Sequence, residues 1–250
     1  MEFVTFLGII LGIGSLVGGA VLEGLHISSI AQPTAALIVF GGTLGAVFVS
    51  FPSRDIKKAI SSIGIILAPF KSSVADLIEE VTKIATVARK DGILAVEQQR
   101  SSIVDPVFRR SIKYVVDGFD PPTVREIMQA EIEHAYEEEE AAARVWEGAG
   151  GYSPTIGIIG AVLGLIHVMS GLKDPNFNLG GGIAVAFVAT IYGVASANLI
   201  FIPFGTKLKR KAALSARKKE IIKIGVCGIQ DGMNPAFLKE KMEIYAKEKI

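Results

Sequence analysis

Apolar and charged positions in this chain are sorted into long blocks, with no soluble-protein alternation. Four stretches, Phe3–Leu22, Thr34–Phe51, Ser153–Leu172 and Leu179–Phe204, consist of apolar and small residues with few polar interruptions. An α-helix rises 1.5 Å per residue, so about 20 such residues span roughly 30 Å, the hydrocarbon thickness of a bilayer. The pattern predicts four transmembrane helices, the second slightly short. Of 26 Lys and Arg and 25 Asp and Glu residues, only Glu2, Glu23, Lys173 and Asp174 lie outside residues 52–149 and 207–250. A charge at the bilayer centre costs roughly 2.5–3.5 kcal/mol on insertion scales, which pushes charge to the flanks. A hydrophobic content of 50% would also fit soluble domains, but this clustering and a mean hydropathy of +0.46 do not.

The charged block between the second and third spans has helical periodicity. Ile56, Ile60, Ile63 and Leu67 share one face of a stretch over 54–70, ended by Pro69. Val74–Ala88 is amphipathic and is punctuated by Asp91-Gly92, after which Ile93–Gln99 reads as a short helix. Pro106–Asp117 is another helix, stopped by Gly118. Asp120-Pro121-Pro122-Thr123 is a helix start, because proline fits a first turn where no donor bond is lost. From Thr123 nothing breaks the pattern before Glu147, and this long helix is expected to lead into the third span with a local bend. The acidic run Glu137–Glu140 fits a solvated helix face. The tail Lys207–Lys223 continues the fourth span as a basic helix suited to anionic head groups.

The expected organisation is all-α: spans one and two in 1–51, a helical cytoplasmic domain in 52–150, spans three and four in 151–205, and a tail from 206 to 250. The middle block has 13 Lys and Arg and the tail 12, whereas the 23–33 link has none and the 173–178 link only Lys173. The positive-inside rule therefore places the block, the tail and the N-terminus in the cytoplasm. The acidic start Met1-Glu2 and the lack of a small-x-small site after Leu22 make the first stretch a retained span. Cys227, the single cysteine, then lies in a reducing compartment and serves packing.

Little in the chain points to enzyme chemistry. His26, His134 and His167 are far apart, no phosphate-binding loop follows a strand, and no nucleophile stands beside a base. No metal, cofactor or nucleic acid is expected. The spans themselves hold no Asp, Glu, Lys or Arg, and offer only His167, Tyr192 and hydroxyls. An ion path through lipid needs an ionisable group at depth, so if the protein moves ions, a partner chain must supply the carboxylate. Gly157, Gly160/Ala161 and Gly164 on the third span, and Ala186, Thr190, Gly193 and Ala197 on the fourth, form stripes for close helix packing. Thr190 is the one hydroxyl on its stripe, and back-bonding to the carbonyl four residues earlier is its ordinary role. Pro154 stands at the entry of the third span, where proline is routine. Pro203 interrupts an apolar pattern that continues around it, which predicts a freed carbonyl and a hinge.

The runs Ser153-Pro154-Thr155-Ile156-Gly157, Ala189-Thr190-Ile191-Tyr192-Gly193 and Ala88-Arg89-Lys90-Asp91-Gly92, in this order and topology, resemble the flagellar stator subunits of the MotA/PomA family, within the MotA/TolQ/ExbB superfamily. The resemblance covers nearly the whole chain. It implies a bacterial inner-membrane protein that assembles as a homo-pentamer around two copies of a MotB-type single-span partner. The partner's aspartate binds the ion, and ion flow turns the ring against the rotor protein FliG. By that resemblance Thr190 matches a pore-facing threonine, and Pro154 and Pro203 match prolines that couple ion flow to movement. Arg89 and Glu97, with Lys90 beside them, match charges that face the rotor. Ala161 stands where sodium-driven relatives carry threonine, so the expected ion is the proton. A straight helix would set Arg89 and Glu97 about 80° apart, but Gly92 is expected to break it. Two other readings remain: an energiser of the TolQ/ExbB type, which would have one span before the cytoplasmic block where this chain has two, and a non-conducting membrane scaffold.

Overall fold

The computed structural model describes residues 3–69, 73–172, 174 and 178–247. Glu2 and Lys173, two of the four isolated charges, lie outside the described residues. The described chain is helical and has no strand. Its helices are α1 (Phe3–Leu22), α2 (Ile27–Ile30), α3 (Pro33–Ala36), α4 (Gly42–Ser50), α5 (Ser53–Ser61), α6 (Ile63–Leu67), α7 (Val74–Asp91), α8 (Ile93–Gln99), α9 (Pro106–Val116), α10 (Pro121–Gly171), α11 (Leu179–Ser196), α12 (Ile202–Gln230) and α13 (Pro235–Lys247). A π-helical turn, Leu37–Gly41, joins α3 to α4, and another, Ala197–Phe201, joins α11 to α12. Four helical stretches, Phe3–Leu22, Ile27–Ser50, Pro121–Gly171 and Leu179–Gln230, contain windows long and apolar enough to cross a membrane. The architecture is that of an all-α, four-span membrane protein with a further helical domain.

The chain forms two compact units, Met1–Pro69 with Glu138–Arg210, and Phe70–Glu137 with Lys211–Ile250. The first holds the spans. No residue of α1 is buried, although its mean hydropathy is 2.1; one stripe, through Ile9 and Gly12, is half-covered, with Gly12 against Leu199, and the rest of its apolar surface is left to face lipid or other helices. The 23–33 link contains the unpredicted turn α2, too short to show a period. Where the backbone breaks at Ala31–Gln32, Tyr192 of α11 fills in. Its hydroxyl donates to the Ile30 carbonyl at 2.6 Å and accepts from the Gln32 N–H at 3.2 Å. A break in the helical ladder frees backbone groups that need such partners. The stretch expected as one helix over 54–70 is divided at Ser62, whose hydroxyl donates to the Ala59 carbonyl at 2.6 Å. Trp146 donates its indole N–H to the same carbonyl at 3.2 Å and packs edge-on against Phe204, with ring centres 5.4 Å apart. The acidic run engages α5: Glu138 pairs with Arg54 and, at 3.2 Å, with Lys58. Hydrogen bonds from Lys58 and Arg54 hold its carboxyl below the usual range.

The second unit is built around Val81, Val96, Phe108, Ile112, Val124, Ile221, Ile222, Val226, Leu238 and Met242, all with 0% exposure. Caps set its helix starts. Ser73 accepts from the Asp76 N–H, Asp105 from Val107 and Phe108, and Asp120 from Thr123. Gly225 of α12 lets α7 and α13 close in, since a Cβ there would lie 2.5 Å from Val81 Cγ1 and 3.3 Å from Met242 Sδ. Helix α13 was not anticipated by the hydrophobic pattern, although its start carries a signal. Asn234 caps it, accepting from the Ala236 N–H at 3.0 Å, and Pro235 takes the first position.

Candidate functional site

The third and fourth spans meet along a seam of small residues. A Cβ at Gly157 would lie 2.8 Å from the Ala189 carbonyl oxygen, one at Gly160 2.8 Å from the Ala189 Cβ, and one at Gly164 2.9 Å from the Ala186 Cβ. From the other side, a Cβ at Gly193 would lie 2.6 Å from the Ser153 carbonyl oxygen and 3.2 Å from the Pro154 Cα. Such distances bring two backbones into contact, which only small residues permit. The buried hydroxyls of Ser153 and Ser196 close the seam with a 2.8 Å hydrogen bond. Sequence reasoning named the glycines, Ala186 and Ala197 but missed Ser153, Ala189 and Ser196. The signal was present, because Ser153 lies four residues before Gly157 and Ser196 three after Gly193.

Thr190 and Ala161 are half-buried flanks of this seam. Thr190 Oγ1 donates to the Ala186 carbonyl at 3.5 Å. This is the anticipated back-bond, but at the weak end of the range, so the hydroxyl exchanges partners at little cost. No Asp, Glu, Lys or Arg occurs between Ser153 and Leu172 or between Leu179 and Phe204.

The prolines behave differently from each other. Pro154 does not start a helix; it lies inside α10, which runs 51 residues from Pro121 to Gly171. The run Gly148-Ala149-Gly150-Gly151 does not break α10 either, because its glycines are packing sites. A Cβ at Gly148 would lie 2.7 Å from the Phe51 ring, and one at Gly150 2.5 Å from Ile202 Cγ1. Lacking an N–H, Pro154 leaves the Gly150 carbonyl without its helical donor. Pro203 is the second residue of α12, just past the π-turn, and the Ile202 N–H before it reaches back five residues to Ala197. Gly150 packs on Ile202, so the two irregular points of these helices are neighbours.

The charged candidates occupy the second unit. Arg89 and Lys90 end α7, where cations face the negative end of the helix dipole. Gly92 then adopts φ +84° and breaks the helix as expected, and Glu97 follows on α8. Arg89, Lys90 and Glu97 are all exposed, and Glu97 pairs with Arg100 at 3.2 Å.

Two family descriptions match this chain: the MotA/TolQ/ExbB proton channel family over residues 99–221 and the motility protein A N-terminal region over residues 6–92. Motility protein A of Bacillus subtilis is 34% identical over 253 residues, covering 100% of this chain and 93% of that protein. The chain belongs to the motility protein A family. The family fold extends over its full length. The C. jejuni MotAB structure matches with a TM-score of 0.91 and 28% identity, over 100% of this chain and 98% of its own. The flagellar MotAB stator complex of Bacillus subtilis matches with a TM-score of 0.88 and 33% identity, over 98% and 97%. In this family member the glycine seam, the flanking Thr190 and the paired irregularities at Pro154 and Pro203 all lie in one unit. The charged turn at Gly92 belongs to the other.

Proposed function

We propose that this chain is a flagellar stator subunit that forms an ion channel with a MotB-type single-span partner and converts ion flow into torque on the rotor. The carrying observation is a tightly packed pair of spans with no ionisable carboxylate of their own, in a chain that follows MotAB structures along its whole length. A partner's aspartate would supply the missing group, and the half-buried Thr190 hydroxyl would meet the ion beside it. Ala161, with no hydroxyl to replace a water lost by sodium, favours the proton. The exposed apolar face of α1 suits lipid. The Lys and Arg distribution supports N- and C-termini in the cytoplasm of a bacterial inner-membrane protein. A homo-pentamer around the partner, with Arg89, Lys90 and Glu97 turned to FliG, completes the reading. Pro154 and Pro203 would carry movement from the spans. One elementary charge crossing 100 mV releases about 2.3 kcal/mol, so several ions per step suffice to rotate a ring.

The test is co-expression with a MotB-type partner, followed by co-purification and proton-flux measurement in vesicles. The expected result is a stable complex whose flux falls on Thr190→Ala and persists in sodium-free buffer. A complex that forms but never conducts would leave only a scaffold.

A further inference from the structure

Tyr192 of α11 grips the second span at two points. Its hydroxyl donates to the Ile30 carbonyl and accepts from the Gln32 N–H, and that N–H also bonds the Ile30 carbonyl at 3.0 Å. The hydroxyl thus pins a tight three-residue turn just before Pro33 starts α3. The Tyr192 ring stacks on Phe40, inside the π-turn Leu37–Gly41, with ring centres 6.0 Å apart. Between these two points Ala35 and Val39 are fully buried in a cluster with Val188 and Ala189, and Val185 and Tyr192 pack against it. One face of α11, through Val185, Val188 and Tyr192, therefore belongs to the second span.

Thr190 sits on the far side of the same helix. Successive residues of an α-helix turn by about 100°, so positions 190 and 192 point about 160° apart and differ in height by only about 3 Å. Around Thr190, Phe187, Ile191 and Val194 are exposed, which marks the side of α11 that this chain leaves uncovered. The seam with the third span, through Ala186, Ala189 and Gly193, lies between the two faces. Its small residues let the backbones approach but carry few atoms to oppose a rotation of α11 about its own axis. The Thr190 hydroxyl bonds Ala186 of the same helix, which fixes nothing outside α11. Tyr192 is the long side chain that ties the helix, at its tip, to another span.

We propose that Tyr192 is a positioning residue for ion passage: its clamp on the second span sets the rotation of α11, and with it the direction in which the Thr190 hydroxyl is held towards the ion. The inference rests on the ion-meeting role given to Thr190 above. It adds a residue to which that reading assigns nothing, and it makes the turn before α3 part of the apparatus that orients the ion path.

The test uses the full chain co-purified with its MotB-type partner and sealed into vesicles. Proton flux is measured for Tyr192→Phe, Phe40→Leu and Thr190→Ala, and for each of the first two combined with Thr190→Ala. Tyr192→Phe keeps the ring and its stack and removes only the hydroxyl, and it should lower flux about three- to tenfold. Phe40→Leu loosens the other end of the same clamp and should lower flux as well. Combined with Thr190→Ala, neither should lower flux further, because no hydroxyl is left to orient. A residue that merely stabilises the fold would lower flux by the same factor in both backgrounds, and that result would overturn the positioning role. Wild-type flux in Tyr192→Phe, beside reduced flux in Thr190→Ala, would overturn it too and leave the Thr190 reading standing. Wild-type flux in Thr190→Ala would overturn that reading, and this proposal with it. Should Tyr192→Phe fail to assemble with the partner, Phe40→Leu alone and with Thr190→Ala carries the same comparison.

Discussion

The hydroxyls of Ser153 and Ser196 meet at 2.8 Å between the third and fourth spans, where Ser153 is fully buried and Ser196 is 6% exposed. The Ser196 hydroxyl also lies 3.2 Å from the Gly193 carbonyl, so it has a second acceptor on its own helix. A buried hydroxyl left without a partner costs roughly 1–3 kcal/mol. Ser196→Ala, which orphans the Ser153 hydroxyl, should therefore destabilise the spans more than Ser153→Ala does. The double variant should be milder than the sum by about 1 kcal/mol. Thermal unfolding of the detergent-solubilised complex, measured as a double-mutant cycle, gives both comparisons.

The glycine seam makes a sharper prediction. Backbone atoms cannot yield to an added methyl as a side-chain tip can. Gly193→Ala places a Cβ 2.6 Å from the Ser153 carbonyl oxygen, and Gly157→Ala one 2.8 Å from that of Ala189. Each should cost on the order of 1–3 kcal/mol and reduce ion flux by forcing the helices apart. Gly14, where a Cβ would meet nothing within 4 Å of this chain, serves as the control. Gly14→Ala should gain about 0.5–1 kcal/mol from helix propensity. Unfolding midpoints of the three variants decide whether close approach or composition is what matters.

These seam contacts mark how far the sequence could be read. Span positions were legible because charge is excluded from lipid, and that force leaves a mark on every residue of a span. Gly92 was legible as a helix break because of its dipeptide context, and the Asp120 cap because prolines follow it. Pro154 was not, because a proline after a glycine run reads as a boundary. The glycines are instead filled by Phe51 and Ile202, residues distant in sequence, and tertiary packing carries α10 through. The π-turns were invisible for a related reason, since one extra residue per turn does not disturb an apolar run. Tyr192 stood out as polar, but the backbone break it serves lies about 160 residues earlier, beyond any local pattern.

Asp105 ties α9 to α12 in the second unit. It caps α9 through the N–H groups of Val107 and Phe108 and pairs with Lys218. Burial pushes its carboxyl up, but the bonds from Lys218, Phe108 and Val107 and the Lys218 charge outweigh burial and hold it below its ordinary value of 3.8. A folded value below the unfolded one adds stability above the unfolded value, which is lost as pH falls through the folded one. The second unit should therefore weaken as pH drops below about 4. Asp105→Asn keeps a capping oxygen but loses the charge, so it should cost about 1–2 kcal/mol at neutral pH and flatten the acid slope. Melting curves followed by circular dichroism between about pH 3 and 7 test the sign. An unchanged acid slope in Asp105→Asn would remove Asp105 as its source.

Trp146 is the only tryptophan of the chain, and it reports on the proline junction. Its ring stacks on Phe201 at 6.2 Å and meets Phe204 edge-on at 5.4 Å, so it touches both sides of Pro203. Pro203 has no N–H to complete the ladder after the π-turn Ala197–Phe201, which leaves that segment in a register an ordinary helix would not choose. Pro203→Ala restores a donor and lets the turn relax towards α-helical bonding, which moves Phe201 and Phe204 relative to the indole. The indole N–H is meanwhile fixed to the Ala59 carbonyl at 3.2 Å, so the tryptophan itself stays in place. The expected outcome is a shifted Trp146 emission and altered quenching in an assembled complex of normal thermal stability, with torque reduced more than ion flux. Emission identical to wild type in Pro203→Ala would mean that the π-turn is held by its neighbours rather than by the proline. The torque measurement would then have to be explained without a change of register.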